Sequence, residues 1–302
     1  MIDIPDELIV TQSTYRGAAG REFIAALPGL AGRFLDEWGL RRDGAAMYGM
    51  CALVLPVVRE ADGRPAALKL QALDEETAGE PMALRVWGAA GAGVVGLLDH
   101  DAETGTMLLE RLDERRPLSA MDDEREAVRV LAELLAGLTA VPAPAGLRGL
   151  GDVAGWLLGA APGEIETLPD AWERRLLGDC AAALREVARE PGDRLLHWDL
   201  HYDNILAGRA EEGRAGEWIA LDPKPLAGDP GFELFPALDN LFDADEVLWR
   251  FDLMTEVLGL DRERARAWTL GRVLQQSVWA IEDGRLPSPD HLEIARQLLG
   301  RG

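Results

Sequence analysis

One eight-residue segment limits what this chain can fold into more than any other feature. Residues 197–204 read His-Trp-Asp-Leu-His-Tyr-Asp-Asn, a polar run between two short apolar stretches. A loop between two strands can present Asp199 and Asn204 on the same side of the protein. A further apolar strand, predicted at 218–222, ends in Asp222, 18 residues after Asn204. Asp199, Asn204 and Asp222 are therefore the first candidates for a functional site.

These residue types match what is needed to transfer a phosphoryl group to a hydroxyl. The reaction requires a carboxylate at the attacking hydroxyl, hard oxygen ligands for a divalent cation, and a cation on the donor's phosphates. Asp199 can supply the first, and Asn204 with Asp222 can supply the second. Lys69 lies between two leucines in a predicted strand, where burial is costly without an anionic partner. A phosphate and Glu80 on the next predicted helix would provide that partner.

Taken singly, each residue also has an ordinary structural explanation. A loop aspartate is often a turn former or a helix cap, and a strand lysine often faces solvent at a sheet edge. It is the combination and its spacing that indicate a site. Glu76 competes with Glu80 as the partner of Lys69, although Glu80 is favoured. His197 is expected to be a structural hydrogen-bonding residue, and His201 either contacts substrate or stabilises the loop.

The wider pattern predicts an α+β protein with two lobes. An N-terminal extension carries a helix near 20–38. The first third then reads strand, strand, helix, strand, strand, at 51–58, 66–71, 73–88, 94–98 and 106–112. The first two strands, joined by an Asp-Gly turn, are expected to form an antiparallel hairpin.

After residue 112 the chain is predicted to be mostly helical. Helices are expected at 124–141 and 169–189, and three more after about residue 243, with short strands at 194–197, 204–207 and 218–222. We place the division between residues 1–112, an N-terminal extension with a small β lobe, and residues 113–302, a helical lobe that carries the polar loop.

Composition bounds the partners and the compartment. The chain has 302 residues and a formal net charge of -22, which repels nucleic acid and anionic membrane surfaces. The acidity either serves solubility alone or favours a cationic substrate. The start of the chain does not read as a signal peptide, and no apolar stretch approaches the ~18 residues of a membrane span, so a cytoplasmic protein is expected. Cys51 and Cys180 lie in apolar surroundings and are predicted to be small buried side chains, with one disulfide left open.

The polar loop, followed by Leu-Asp-Pro-Lys at 221–224, resembles the aminoglycoside phosphotransferase family. It looks closest to the branch that contains streptomycin 6-phosphotransferase and hydroxyurea phosphotransferase. Segments 68–70, 83–87 and 108–112 look like the same branch, and the resemblance runs from about residue 47 to about residue 240. It implies a bilobal protein-kinase-like fold, with a small antiparallel β N-lobe containing one helix and a larger, mainly helical C-lobe.

The resemblance also implies ATP as co-substrate and Mg²⁺ as cofactor, with antibiotic resistance as a role. The implied site residues are Asp199 as catalytic base, Asn204 and Asp222 as Mg²⁺ ligands, Lys69 on the ATP phosphates, Glu80 paired with Lys69, and the backbone near Glu110 and Leu112 at the adenine.

The chain departs from the family pattern in two places. The loop expected to cover the phosphates, near residues 45–50, has the single central glycine Gly49. Trp198 stands where many relatives have glycine or arginine. Asp222 is followed by Pro-Lys, which resembles the branch, and not by the Phe-Gly of protein kinases.

The acceptor pocket is expected in the helical lobe opposite Asp199. Within residues 232–240, Glu233, Asp239 and Asn240 could bind an amino or guanidino group, or could serve as helix caps and surface charge. Trp268 and Trp279 are expected in the core.

Three functions stay open. The first is a kinase for a hydroxyl of an aminoglycoside-like, streptomycin-type cation. The second is a kinase for another small metabolite, such as a sugar or an amino alcohol. The third is a non-catalytic nucleotide-binding protein. A protein acceptor is disfavoured because no activation segment is evident between Asp222 and Glu233, and neither nucleic acid nor membrane is an expected partner.

Overall fold

The computed structural model describes residues 2–300 and shows two lobes with a cleft between them. The N-lobe is a six-stranded antiparallel sheet in the order β1-β3-β4-β6-β5, with β2 paired to β3, and it is flanked by two helices. Its elements are α1 (Asp6–Glu37), β1 (Leu40–Arg42), β2 (Met47–Tyr48), β3 (Ala52–Arg59), β4 (Pro65–Gln71), α2 (Glu80–Ala90), β5 (Leu97–His100) and β6 (Met107–Glu110). The predicted α+β, bilobal fold is confirmed.

The alternation of side chains along β4 fixes which face of the sheet meets the cleft. Leu68 and Leu70 are fully buried against α1, where they join Leu27 and Phe34 in the N-lobe core. Successive side chains of a strand point to opposite faces. Lys69 therefore points away from α1 and into the cleft.

Two predicted helix boundaries were wrong. The N-terminal helix begins at Asp6, well before residue 20, and is bent at Gly17, whose φ of 56° suits glycine. The helix predicted at 73–88 begins only at Glu80. Asp74 ends the preceding strand in a turn, because its carboxylate accepts hydrogen bonds from the backbone N–H of Glu76 at 2.9 Å and of Thr77 at 2.8 Å.

The C-lobe is mainly helical. Its helices are α3 (Glu124–Thr139), α4 (Leu150–Thr167), α5 (Ala171–Val187), α6 (Phe235–Asp239), α7 (Val247–Leu258), α8 (Arg262–Glu282) and α9 (Pro289–Leu298). The sequence analysis missed α4, which contains Pro162 and four glycines that weaken the helical signal. Trp268 is fully buried in the core of this lobe, as expected, whereas Trp279 lines the cleft.

Two small sheets complete the fold. One joins β7 (Asp113–Pro117), β9 (Ile205–Ala207) and β10 (Trp218–Ala220), and the other pairs β8 (Arg194–Leu196) with β11 (Leu226–Gly228). The polar loop at 197–204 connects β8 to β9 and so crosses between the two sheets. This placement brings the ends of β8 and β10 to the same side of the molecule.

No helix within residues 2–300 is both long and apolar enough to cross a membrane. Cys180 is buried, as predicted, whereas Cys51 is a partly exposed free thiol.

Candidate active site

Three predicted residues from different parts of the chain meet at the back of the cleft. The Lys69 ammonium lies 2.7 Å and 2.8 Å from the two carboxylate oxygens of Glu80 and also contacts the Asp222 carboxylate. Lys69 and Glu80 side chains are 5% and 1% exposed, whereas the Asp222 side chain is 38% exposed and faces the cleft. Glu76, the competing partner, lies instead 3.8 Å from Arg148. The structure therefore pairs Lys69 with Glu80.

The position of Glu80 depends on a glycine. A Cβ at Gly79 would lie 2.8 Å from Pro225 and 2.9 Å from Leu147, closer than carbon atoms approach. The bare backbone lets the start of α2 pack against the C-lobe, and Pro81 suits the first turn of the helix. Glu80, the first residue of α2, is thereby held below the strand that carries Lys69.

Charge pairing controls the protonation of Lys69 and Asp222. Burial lowers the pKa of Lys69, but the carboxylates of Asp222 and Glu80 outweigh burial and raise the pKa above its ordinary value. Burial alone would raise the pKa of Asp222, yet the Lys69 ammonium lowers it to about 2. Lys69 is thus a permanent cation and Asp222 a permanent anion at neutral pH.

Buried groups hold the start of the polar loop in place. Glu233 is fully buried, and its two carboxylate oxygens accept hydrogen bonds from the backbone N–H of His197 at 3.1 Å and of Trp198 at 2.7 Å. Burial raises the pKa of Glu233 to about 7 despite these bonds. Trp198 has a φ of 72°, a left-handed conformation that glycine adopts more easily. The loop is therefore strained at Trp198 and fixed by contacts on both sides.

The side chain of His197 joins the loop to the strand that ends at Asp222. Its Nε2 lies 3.0 Å from the backbone oxygen of Leu221, and the ring is fully buried. Burial lowers the pKa of His197 from 6.5 to about 4, so the ring is neutral at pH 7 and donates through Nε2. This geometry matches the structural role expected for His197.

The buried neutral ring predicts a specific loss of stability in acid. The pKa of His197 is lower in the folded chain than in the unfolded chain, so the unfolded chain binds its proton first as the pH falls below 6.5. Stability from this residue is full above pH 6.5 and is lost as the pH falls toward 4. Between pH 7.5 and pH 5, we expect the free energy of unfolding of the wild type to fall by about 2 kcal/mol more than that of His197→Gln. Urea denaturation at each pH measures this, and parallel curves for the two proteins would contradict it.

Asp199 faces the cleft and has a cationic neighbour. Its carboxylate lies 2.7 Å from the ammonium of Lys224, and the two side chains are 25% and 24% exposed. The amide nitrogen of Asn204 donates to the backbone oxygen of Asp199 at 2.9 Å, which fixes the orientation of the amide. Burial lowers the pKa of Lys224, but the charge and hydrogen bond of Asp199, together with the charges of Asp222 and Glu76, raise it above its ordinary value. Sequence reasoning noticed the Asp-Pro-Lys step but gave Lys224 no role.

Two arginines missed by the sequence analysis lie against the Trp198 ring. The guanidinium carbon of Arg148 is 4.2 Å from the ring centroid and that of Arg272 is 4.4 Å from it. Arg272 is 3% exposed and directs an N–H toward the backbone oxygen of Trp198 at 3.4 Å. Such cation–π contacts stabilise a strained residue by about 1–2 kcal/mol when desolvated. A separate helix, α8, contributes Arg272, so local sequence gave no signal for it.

The predicted adenine-contact residues line the N-lobe side of the cleft. Glu110 ends β6, and its side chain accepts from the backbone N–H of Gly96 at 3.0 Å and from Arg214 at 2.8 Å. Leu112 follows in the segment that joins the lobes, and both residues line the cleft. The β2–β3 turn around Gly49 lies over the same space, where the sequence predicted the phosphate-covering loop.

The three predicted substrate residues lie in different environments. Asp239 and Asn240 line the cleft; Asp239 accepts from His291 at 2.9 Å, and the Asn240 side chain bonds the backbone N–H of Tyr202 at 3.2 Å and the Asp203 carboxylate at 3.0 Å. Glu233 is buried beneath the loop and does not line the cleft. The geometry therefore assigns Glu233 to holding the loop, in place of the substrate contact that the sequence predicted.

The oxygen donors present fit a hard divalent cation. Asp222 offers a carboxylate, and the orientation of the Asn204 amide leaves its oxygen free of the bond made by its nitrogen. Mg²⁺ is commonly bound by one or two protein oxygens and completes its shell with water and phosphate oxygens. Within residues 2–300, no group of three or more histidine, cysteine, aspartate or glutamate residues forms a metal-binding cluster.

Comparisons with known proteins show which family the chain belongs to. A family model described as "Aminoglycoside/hydroxyurea antibiotic resistance kinase" matches residues 37–284. The chain is 62% identical to a hydroxyurea phosphotransferase of Kitasatospora aureofaciens, covering 100% of this chain and 87% of the relative. It is 50% identical to a streptomycin 6-kinase of Streptomyces glaucescens, covering 99% of this chain and 98% of the relative.

A solved structure supports the fold at much lower identity. A spectinomycin phosphotransferase structure aligns with a TM-score of 0.60 at 11% identity, over 90% of this chain and 98% of that protein. At this identity the likeness concerns the fold alone, whereas the family match spans both lobes. The chain therefore belongs to the aminoglycoside/hydroxyurea antibiotic resistance kinase family.

Proposed function

We propose that this protein is an ATP-dependent small-molecule O-kinase whose acceptor is a hydroxyl of a streptomycin-type cation. The observation that carries the proposal is the convergence of Lys69, Asp199, Asn204 and Asp222 on one interlobe cleft. Lys69 and Asp222 are 153 positions apart in the chain and are nevertheless in direct contact. The cleft, about 1010 Å³, is large enough for a nucleotide together with an acceptor.

Each residue has a role that its position allows. Asp199 orients the acceptor hydroxyl and accepts its proton, Lys69 binds the α- and β-phosphates, and the segment around Glu110 and Leu112 binds adenine. Asn204 and Asp222 would hold Mg²⁺, which would neutralise phosphate charge. Solved relatives of the same fold carry ADP or an ATP analogue, which supports ATP as the donor.

The acidity of the cleft supports a cationic acceptor. Asp203 and Asp239 lie at its C-lobe side with 55% and 41% of their side chains exposed, and Glu76 faces the same space. Exposed carboxylates attract guanidino or ammonium groups and raise the local concentration of such a ligand. Two relatives at 50% and 49% identity are named streptomycin 6-kinases, and streptomycin is a cation that these carboxylates would attract.

Hydroxyurea is a second candidate acceptor, favoured by one specific observation. A relative that is 62% identical to this chain over the aligned residues is a hydroxyurea phosphotransferase. Hydroxyurea also offers a hydroxyl, so the same base and metal ligands would serve. It is neutral and small, and the exposed carboxylates of the cleft would then have no cationic partner.

An acceptor screen tests the proposal. Purified protein with Mg·ATP is offered streptomycin, other aminoglycosides, hydroxyurea, neutral sugars and amino alcohols, and ADP release is followed with phosphorus NMR of the product. We expect acceptor-dependent ADP release and a phosphate ester with streptomycin. Turnover with hydroxyurea alone would establish the second candidate, and turnover only with neutral sugars would exclude a cationic acceptor. Absence of Mg-dependent ADP release with every acceptor would contradict the kinase proposal.

A further inference from the structure

The basic residues of this chain are distributed unevenly by type. Of its 31 lysines and arginines, only two are lysines, Lys69 and Lys224. Both line the interlobe cleft. Arginine supplies the other cations of the chain, including the exposed ones. A lysine differs from arginine in being a compact point charge with three N–H donors. The two lysines therefore stand where a small ammonium group, and not a planar guanidinium, suits the site.

Lys69 already has a role, but Lys224 does not. The Lys224 ammonium bonds the Asp199 carboxylate at 2.7 Å, and its backbone N–H donates to the backbone oxygen of His197 at 3.0 Å. Asp199 is the one hydrogen-bond partner of that ammonium within residues 2–300. Two of its three N–H donors are thus left for a ligand. Lys224 follows Asp222 by two residues and lines the same cleft, so the chain segment that carries the proposed metal ligand also carries the ammonium bonded to the proposed base.

The charge around this position calls for a cation. Asp199, Asp222 and Glu76 line the same cleft as Lys224. In the proposed function, the phosphoryl group passes from a donor bound at Asp222 to an acceptor bound at Asp199. Phosphoryl transfer spreads negative charge over three equatorial oxygens, and fixed donors that meet this charge lower the barrier. Lys69 is paired with Glu80 and Asp222 and, in the proposed function, binds the α- and β-phosphates of the donor, so it is not available to the transferring group.

We infer that Lys224 is a further catalytic residue, which donates to the transferring phosphoryl group while it is bonded to Asp199. The acceptor oxygen forms a bond to the γ-phosphorus, and the bond to the β–γ bridging oxygen breaks with its electron pair leaving on ADP. The acceptor's hydroxyl proton passes to the Asp199 carboxylate. Lys224 keeps its proton throughout. This inference rests on the proposed function, because it needs a γ-phosphoryl group in the cleft.

Steady-state kinetics give the first test. Lys224→Met removes the charge and keeps a similar length, and we expect kcat to fall about 100-fold or more with the KM for ATP changed less than threefold. Lys224→Cys should be equally slow, and alkylation with 2-bromoethylamine should restore activity by rebuilding an ammonium. Wild-type protein treated with the same reagent controls for modification of Cys51, which is partly exposed. A Lys224→Met variant with kcat close to wild type would overturn the inference.

A binding experiment separates contact with the phosphoryl group from an effect through Asp199. ADP is titrated with Mg²⁺, with and without aluminium fluoride, which mimics the transferring group and needs no acceptor. Aluminium fluoride should increase the affinity for ADP by a measurable factor in the Asp199→Ala variant. Adding Lys224→Met to that variant should still make this factor at least tenfold smaller. An unchanged gain would show that Lys224 acts only through Asp199 and would overturn its role. If wild-type protein failed to bind Mg·ADP at all, the kinase proposal itself would fall, and that outcome is distinct from the first.

Discussion

We expect Asp199→Ala to lower kcat by about 1,000-fold or more while leaving the affinity for Mg·ATP close to that of the wild type. A positioned base contributes about 10²- to 10⁴-fold to such reactions, and Asp199 is the carboxylate of the loop that faces the cleft beside Lys224. Its removal takes away the group that orients the acceptor hydroxyl but none of the proposed nucleotide ligands. Turnover with the acceptor found by screening, together with calorimetric titration of Mg·ATP, measures both quantities.

A matched aspartate controls this experiment. Asp193 precedes β8, which leads into the same loop, and its side chain is 87% exposed. Asp193→Ala should keep kcat within about twofold of the wild type, since exposed substitutions away from a site have small effects. Near-normal turnover in Asp199→Ala would remove the base assignment. An equal loss in both variants would point to damage of the loop instead of the chemistry.

The second large effect is expected at Asp222. Asp222→Asn should raise the Kd for Mg·ATP by about tenfold or more, which is about 1.4 kcal/mol, because it replaces the proposed anionic ligand of Mg²⁺ by a neutral amide. Without Mg²⁺, the same variant should bind ATP as well as the wild type or better. The reason is that the substitution removes a carboxylate that repels the phosphates and is paired with Lys69.

Titration of ATP with and without Mg²⁺ measures both dissociation constants and so tests this prediction directly. The control is Asp203→Asn, which removes one carboxylate from the same cleft. The Asp203 side chain is 55% exposed, and we propose no metal role for it. That variant should keep the gain in affinity that Mg²⁺ provides. If Asp222→Asn kept the same gain, Asp222 would not be a metal ligand.

Local sequence predicted the parts of the site that depend on periodicity. The apolar run around Lys69 predicted a strand in which the lysine needs an anionic partner, and the structure has Lys69 in β4 and paired with Glu80. The polar run at 197–204 lies in a loop between β8 and β9, as its apolar flanks indicated. Boundaries were less well predicted where side chains compete with the helix for backbone groups, as Asp74 does before α2.

Tertiary structure decided the features that depend on distant contacts. Glu233 has a carboxylate that could bind a cationic substrate, but packing places this carboxylate where it accepts hydrogen bonds from two backbone N–H groups of the loop. Two arginines lie beside Trp198: Arg148, just before α4, and Arg272 on α8. No local sequence pattern connects either of them with the loop. Burial and pairing across the fold, and not neighbouring residues, give these side chains their roles.

The sequence by itself determined which candidate groups are present: carboxylates, an amide and a lysine at spacings typical of a kinase. Only the tertiary structure decided that these groups share one cleft. Lys69 meets Asp222 across 153 positions, and Lys224 meets Asp199 across 25. The physical reason is that spacing along a chain fixes direction within one strand or loop, whereas the distance between two charges depends on how the lobes pack. That packing also gave the loop at 197–204 its cationic partner, which the sequence motif alone did not predict.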